Sequence, residues 1–134
     1  MAALVQVHPA HDVAVRRLQQ IKHGDDTGVV SAHTLAELYS NLTRLPVKPI
    51  ISPTVAQQLI KQNIVGTFEI VSLSAQDYVA VIDHLVANNI IGGVIYDALI
   101  ARAAIQAKVD QLVTLNARDF RRVYPDMAGK IVTP

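Results

Sequence analysis

The sequence contains no cysteine and no tryptophan, only two phenylalanines and four tyrosines, and charged side chains on just 17% of its 134 residues. Without cysteine there are no disulfides, thiolate metal centres or cysteine nucleophiles, which matches a reducing compartment; a cytoplasmic location is expected. The scarcity of aromatics argues against an aromatic-rich β-sandwich. No apolar run approaches the roughly 20 residues of a membrane-spanning helix, so no membrane association is expected. The N-terminus reaches His8 after a short apolar stretch with no basic segment before it, which does not read as a secretory signal. A Gly-rich phosphate loop, a Gly-x-Ser-x-Gly elbow and an EF-hand loop are also missing. The formal net charge is only +1, so the overall field neither demands nor excludes a nucleic-acid partner.

What is present is aliphatic. Apolar residues make up 51% of the chain, mostly Val, Ile, Leu and Ala, a mixture suited to helices packed on buried parallel strands. The length predicts one domain over residues 1–134, able to bury roughly two thirds of its unfolded surface. His8-Pro9 is expected to open a helix with Val13, Ala14, Leu18 and Ile21 inward, ended by Gly24. Val29-Val30-Ser31 reads as a short strand, followed from about Thr34 by a helix that stops at Pro46. Ser52-Pro53 caps a third helix, and Phe68–Leu73 forms the next strand. Ser74 and Asp77 make a capping box for a helix with Tyr78, Val81, Ile82 and Leu85 inward. After Gly92-Gly93 a helix runs from about Ile95 to Lys108, then strands at Gln111–Leu115 and Lys130–Val132. Strands alternating with helices predict an α/β sandwich with a mainly parallel sheet. Residues 1–7 leave room for a stub of strand or a little helix, not both, so the sheet looks one strand short.

Only 11 residues are acidic, and three of these stand out by position: Glu37, Asp97 and Asp119. Each follows a predicted strand or opens a predicted helix, on the rim where ligands of open α/β sheets bind. Carboxylates converging there suit Mg²⁺ or Mn²⁺ and phosphodiester chemistry. Each also has a structural reading. Thr34-Leu35-Ala36-Glu37 is a capping box in which Glu37 need only reach back to the Thr34 amide. Asp97 can complement a helix dipole, and Asp119 can cap a turn at Ala117-Arg118-Asp119-Phe120. Asn116 stands at the strand end, uncharged but able to hydrogen-bond water or carboxylate. Arg118, Arg121 and Arg122 lie beside these residues and suit a phosphate backbone or a solvated surface equally. His8 and His11 have zinc-compatible spacing without an evident third ligand, and His23, His33 and His84 are scattered.

Four segments together give the chain a resemblance. These are His8-Pro9-Ala10-His11, the stretch from Ala36-Glu37-Leu38-Tyr39 to Leu45-Pro46, Tyr96-Asp97-Ala98-Leu99-Ile100-Ala101-Arg102-Ala103-Ala104, and Val113-Thr114-Leu115-Asn116-Ala117-Arg118-Asp119-Phe120. In order and spacing they resemble the PIN-domain family, and within it the VapC-type toxins of toxin–antitoxin modules. The resemblance implies a three-layer α/β/α sandwich and a Mg²⁺- or Mn²⁺-dependent endoribonuclease. It further implies a homodimer, with RNA as substrate and a cognate antitoxin as inhibitory partner. By position, Glu37 and Asp97 would be metal-site carboxylates, and the fourth acidic position of the family falls on Asn116 or Asp119.

Two departures qualify that transfer. The family's first strand carries an Asp-Thr-Asn-like motif ahead of an apolar stretch like Ala2-Ala3-Leu4-Val5, and this sequence starts at Met1 just after that point. Asn116 replaces an acid. The expectation is therefore a nuclease site with Glu37, Asp97 and Asp119 on the metal, Asn116 or Asp119 orienting water, and Arg118, Arg121 and Arg122 on RNA. Activity is expected to be weak or absent in this short form. The rival is a PIN-like fold that binds protein or RNA without cutting.

Overall fold

A computed structural model describes Leu4, Gln6 and residues 8–134. The expectation of a strand or helix stub within residues 1–7 falls mainly on residues outside those described. In chain order the elements are α1 (His11–Lys22), β1 (Val29–Ser31), α2 (Ala32–Arg44), α3 (Pro53–Ile60), β2 (Glu69–Val71), α4 (Ala75–Ala87), α5 (Val94–Gln106), β3 (Leu112–Val113), α6 (Ala117–Val123) and β4 (Ile131–Val132). A π turn over Lys61–Val65 extends α3, and a 3₁₀ segment over Pro125–Lys130 precedes β4. They form two compact units, Met1–Gly28 with Ala32–Ile70, and Val29–Ser31 with Val71–Pro134.

In the first unit α1 begins at His11 rather than at Pro9. The Ala10 amide donates to His8 Nδ1 at 3.1 Å and the His11 amide to the His8 carbonyl at 2.9 Å, so His8-Pro9-Ala10 is spent on a turn before the helix. The predicted inner face of α1 is half-buried throughout. Gly24, at φ +82°, closes the helix as expected of a residue free to enter the left-handed region. α2 packs on α3, with Leu38 and Leu42 from one and Ala56 and Ile60 from the other buried, together with Ile64. α2 stops at Arg44 because Leu45, preceding Pro46, is sterically pushed out of helical geometry. Ser52 caps α3 by accepting from the Val55 amide at 3.2 Å, with Pro53 at the first helical position.

The second unit is built around α5, which packs against α4, α6 and β1. Ala98, Leu99, Ala101, Ala103 and Ala104 are all buried, so this helix is enclosed on most sides, as its apolar sequence requires. Its alanines let neighbouring elements approach closely. Among the described residues of this unit, Ala101, Ala104, Leu112, Ala117, Phe120, Met127 and Ile131 form one core cluster, and Val81, Leu85, Ala98, Leu99 and Val123 form another.

β3 pairs with β4 in parallel, Leu112 opposite Ile131 and Val113 opposite Val132. The Thr114 amide extends the pairing to the Val132 carbonyl at 2.9 Å. The parallel pairing agrees with the sequence reading.

Two details of that reading change. In α4 the buried row is Asp77, Val81 and Leu85, whereas Tyr78 and Ile82 are exposed. The reason is Asp77: it faces α5, where it is bonded, and the i, i+4, i+8 row beneath it follows. The segment after β3 is the helix α6 rather than a turn, because Ala117, Phe120 and Val123 recur on one side and are all buried.

Candidate metal site and basic face

α5 and α6 each bring a carboxylate to their first turn, Asp97 on α5 and Asp119 on α6. Helix N-termini favour negative charge, so both positions are electrostatically comfortable. Asn116, the residue just before α6, links them. Its side-chain nitrogen donates to Asp97 Oδ2 at 3.1 Å and to Asp119 Oδ2 at 2.8 Å. An asparagine at that position ordinarily caps its own helix by accepting from backbone amides. Here no side-chain cap is made, and the amide serves the two acids. Its backbone is held in turn: the Asn116 amide donates to Thr114 Oγ1 at 3.0 Å. The second unit thus gathers three of the predicted site residues, Asp97, Asn116 and Asp119.

Glu37 lies in the first unit, on α2. The capping box expected with Thr34 does not form: α2 starts at Ala32, immediately after β1, so Thr34 is inside the helix and Glu37 is past its first turn. His33 Nε2 stands 3.1 Å from Glu37 Oε1 across one helical turn. That oxygen is nevertheless shielded from solvent and makes no hydrogen bond of good geometry among the described residues. The i, i+4 spacing of His33 and Glu37 was a readable signal, and the sequence reading passed over it.

The donor chemistry fits a hard divalent cation. In the second unit Asp97 and Asp119 offer carboxylate oxygens, the hard donors such an ion takes. Among the described residues no group of three or more His, Asp or Glu side chains is close enough to hold a metal ion. Mg²⁺ is commonly held by only one or two carboxylates, with water and substrate phosphate completing its shell, so the Asp97–Asp119 pair meets that requirement. His8 Nδ1 accepts from the Ala10 amide, which leaves only Nε2 of that ring for any other partner.

Arg118, Arg121 and Arg122 recur at helical spacing on α6, and all are exposed, opposite the buried Ala117, Phe120 and Val123. Arg121 also reaches the Ile131 carbonyl at 3.5 Å. Asp119 sits on the same short helix, so basic and acidic groups adjoin one another. No described helix is long and apolar enough to cross a membrane.

Comparison with known proteins places these features in a family. The PIN domain model matches residues 1–125. The chain is similar to Ribonuclease VapC40 of Mycobacterium tuberculosis, in both strain CDC 1551 / Oshkosh and strain H37Rv. Identity is 32% over 123 residues, covering 92% of this chain and 83% of the relative. It is also similar to Ribonuclease VapC27 of Mycobacterium tuberculosis strain H37Rv, 31% identical over 115 residues, covering 86% of this chain and 77% of the relative. No solved structure matches it. With the α/β order of its elements, its parallel β3–β4 pair and these matches, the chain belongs to the PIN-domain family, among its VapC-type members.

Proposed function

We propose that this chain is a divalent-metal-dependent RNA endonuclease, the toxin of a toxin–antitoxin pair. The observation that carries the reading is the Asn116-linked pair of carboxylates at two helix starts in a chain of this family. The relatives VapC40 and VapC27 are named ribonucleases. Asp97 and Asp119 would hold Mg²⁺ or Mn²⁺. Glu37 is proposed as a further metal-site carboxylate from its family position alone. When bound, the cation supplies Lewis-acid polarisation and neutralises charge developing at the scissile phosphate.

The protein's own groups do the rest. Asp97 and Asp119 carry the negative charge that selects a cation. Asn116, with donor and acceptor atoms on one amide, or Asp119 orients water beside the phosphate. Arg118 and Arg122 grip phosphates of the RNA backbone, with Arg121 between them on the same helix face. A cognate antitoxin protein that masks the acidic pair, a homodimeric state and a cytoplasmic setting complete the proposal.

The test is cleavage of a pool of labelled single-stranded RNAs with Mn²⁺, with excess chelator, and with Asp97→Asn. The proposal expects cutting that stops on chelation and falls about 100-fold or more in the variant, since loss of even a supporting residue of a metal site costs about 10–100-fold. RNA binding that persists without any cutting under all three conditions would instead support a non-catalytic binding module.

A further inference from the structure

The site contains an unusual contact for a cation centre. The nitrogen of Asn116 lies within hydrogen-bond distance of both carboxylates, 3.1 Å from Asp97 Oδ2 and 2.8 Å from Asp119 Oδ2. Carboxylates only accept, and a side-chain amide carries two N–H groups, so each acid takes one of them. The amide therefore offsets part of the repulsion between two anions brought together by separate helices. It does so with N–H groups, whose positive partial charge suits the two acids but cannot coordinate a cation. The other branch of the same amide is a carbonyl oxygen, a hard donor that welcomes one. Half a turn about the terminal side-chain torsion exchanges the two branches, and that torsion is broad and two-fold. That rotation does not involve the Asn116 backbone amide, which donates to Thr114 Oγ1.

We propose that Asn116 is a positioning residue that clamps Asp97 and Asp119 together in the metal-free protein and turns its amide when a divalent cation binds. This rests on reading the pair as metal ligands. Aspartate at 116 would add a charge for the cation but repel its neighbours without one. Alanine would supply neither clamp nor donor. Asparagine trades affinity for a site that stays assembled when empty.

The experiment is a Mg²⁺ titration of the full ¹⁵N-labelled chain, following side-chain amide signals by NMR, with calorimetry in parallel. The Asn116 signals are identified by their loss in Asn116→Asp. The expected result is that they shift or broaden in step with calorimetric saturation. Asn116→Asp should bind Mg²⁺ about 10-fold or more tightly, because affinity follows ligand charge, and should melt at a lower temperature without metal. An Asn116 amide unmoved at saturation overturns the clamp, as does an Asn116→Asp affinity no greater than that of the unmodified chain. If Asp97→Asn abolishes binding while the amide never moves, the metal reading stands and only the clamp falls. If the unmodified chain binds no Mg²⁺, both fall.

Discussion

Asp77 and Arg102 meet across 25 residues of chain, with Arg102 Nε at 3.2 Å and Nη2 at 3.1 Å from Asp77 Oδ1. Gln106 donates to the same oxygen at 2.6 Å, while Oδ2 accepts from the Ser74 amide and hydroxyl at 2.9 Å each. A capping box, normally a local device, here also pins α4 to α5, the helix that carries Asp97. The Ser74 backbone amide above all, then Gln106, the Ser74 hydroxyl and Arg102, hold the Asp77 carboxyl far below the usual range against the opposing effect of desolvation.

The sign of the resulting pH dependence follows from that direction. An unfolded aspartate takes up its proton near about pH 3.9, and folded Asp77 does so only at much lower pH. Its stabilisation is thus present above the unfolded value and is lost as pH falls toward the folded one. Asp77→Asn should lower the melting temperature near neutrality, and the gap to the unmodified chain should narrow on acidification to about pH 3. Thermal melts of both proteins across that range decide it. A gap that is constant with pH would mean the carboxylate charge is not what joins α4 to α5.

Gly28 supports the first unit by being small. A Cβ there would lie 2.6 and 2.7 Å from two Phe68 ring carbons and 2.9 Å from Ile21 Cγ2. The backbone has little freedom to retreat, since the Gly28 carbonyl accepts from the Glu69 amide at 2.9 Å. Gly28→Ala should therefore destabilise by about 1–3 kcal/mol, the usual range for overpacking. Combining it with Phe68→Leu should restore part of the loss in a urea titration. A neutral Gly28→Ala would show that the Phe68 ring moves aside at no cost.

How far these features were legible depended on how local their causes are. Ser52 with Pro53, Ser74 with Asp77, and Gly24 each act within one turn of chain, and each was readable from neighbouring residues. Arg102 and Gln106 complete the Asp77 network from another helix, and nothing near Asp77 in sequence announces them. The same distance effect hid the role of Asn116. Alone it reads as the loss of an acid, and only the convergence of α5 and α6 reveals it as a shared donor. The capping box at Thr34 failed for the opposite reason: a valid local pattern was overridden when β1 ran directly into α2. In α6 the turn-like letters Asn116 and Asp119 masked a helical repeat of Ala117, Phe120 and Val123.

Glu37 separates structural from functional value. With its side chain 38% exposed and His33 Nε2 one turn away at 3.1 Å, it makes an i, i+4 contact of a class contributing about 0.3–0.5 kcal/mol. Glu37→Gln should change folding stability by no more than about that amount. If Glu37 is a metal ligand as proposed, the same substitution should weaken Mn²⁺ binding about 10-fold or more. Calorimetric titration beside a denaturation curve reads both quantities. Unchanged Mn²⁺ affinity would leave Glu37 as a partner of His33 and nothing more.

The exposed arginines of α6 make the RNA half of the proposal measurable without catalysis. Each side chain that neutralises a phosphate of a single strand releases about 0.7 of a counterion, so the salt dependence of binding counts such contacts. With chelator present to prevent cutting, Arg118→Ala combined with Arg122→Ala should flatten the slope of log affinity against log salt by about 1.4. Arg121→Ala should flatten it less, because that side chain already leans on the Ile131 carbonyl. Neither change touches the buried residues of the helix, so melting temperatures should hold and a flattened slope would report lost phosphate contacts. An unchanged slope in the double variant would assign this face to solvent and send the search for the RNA path elsewhere on the surface.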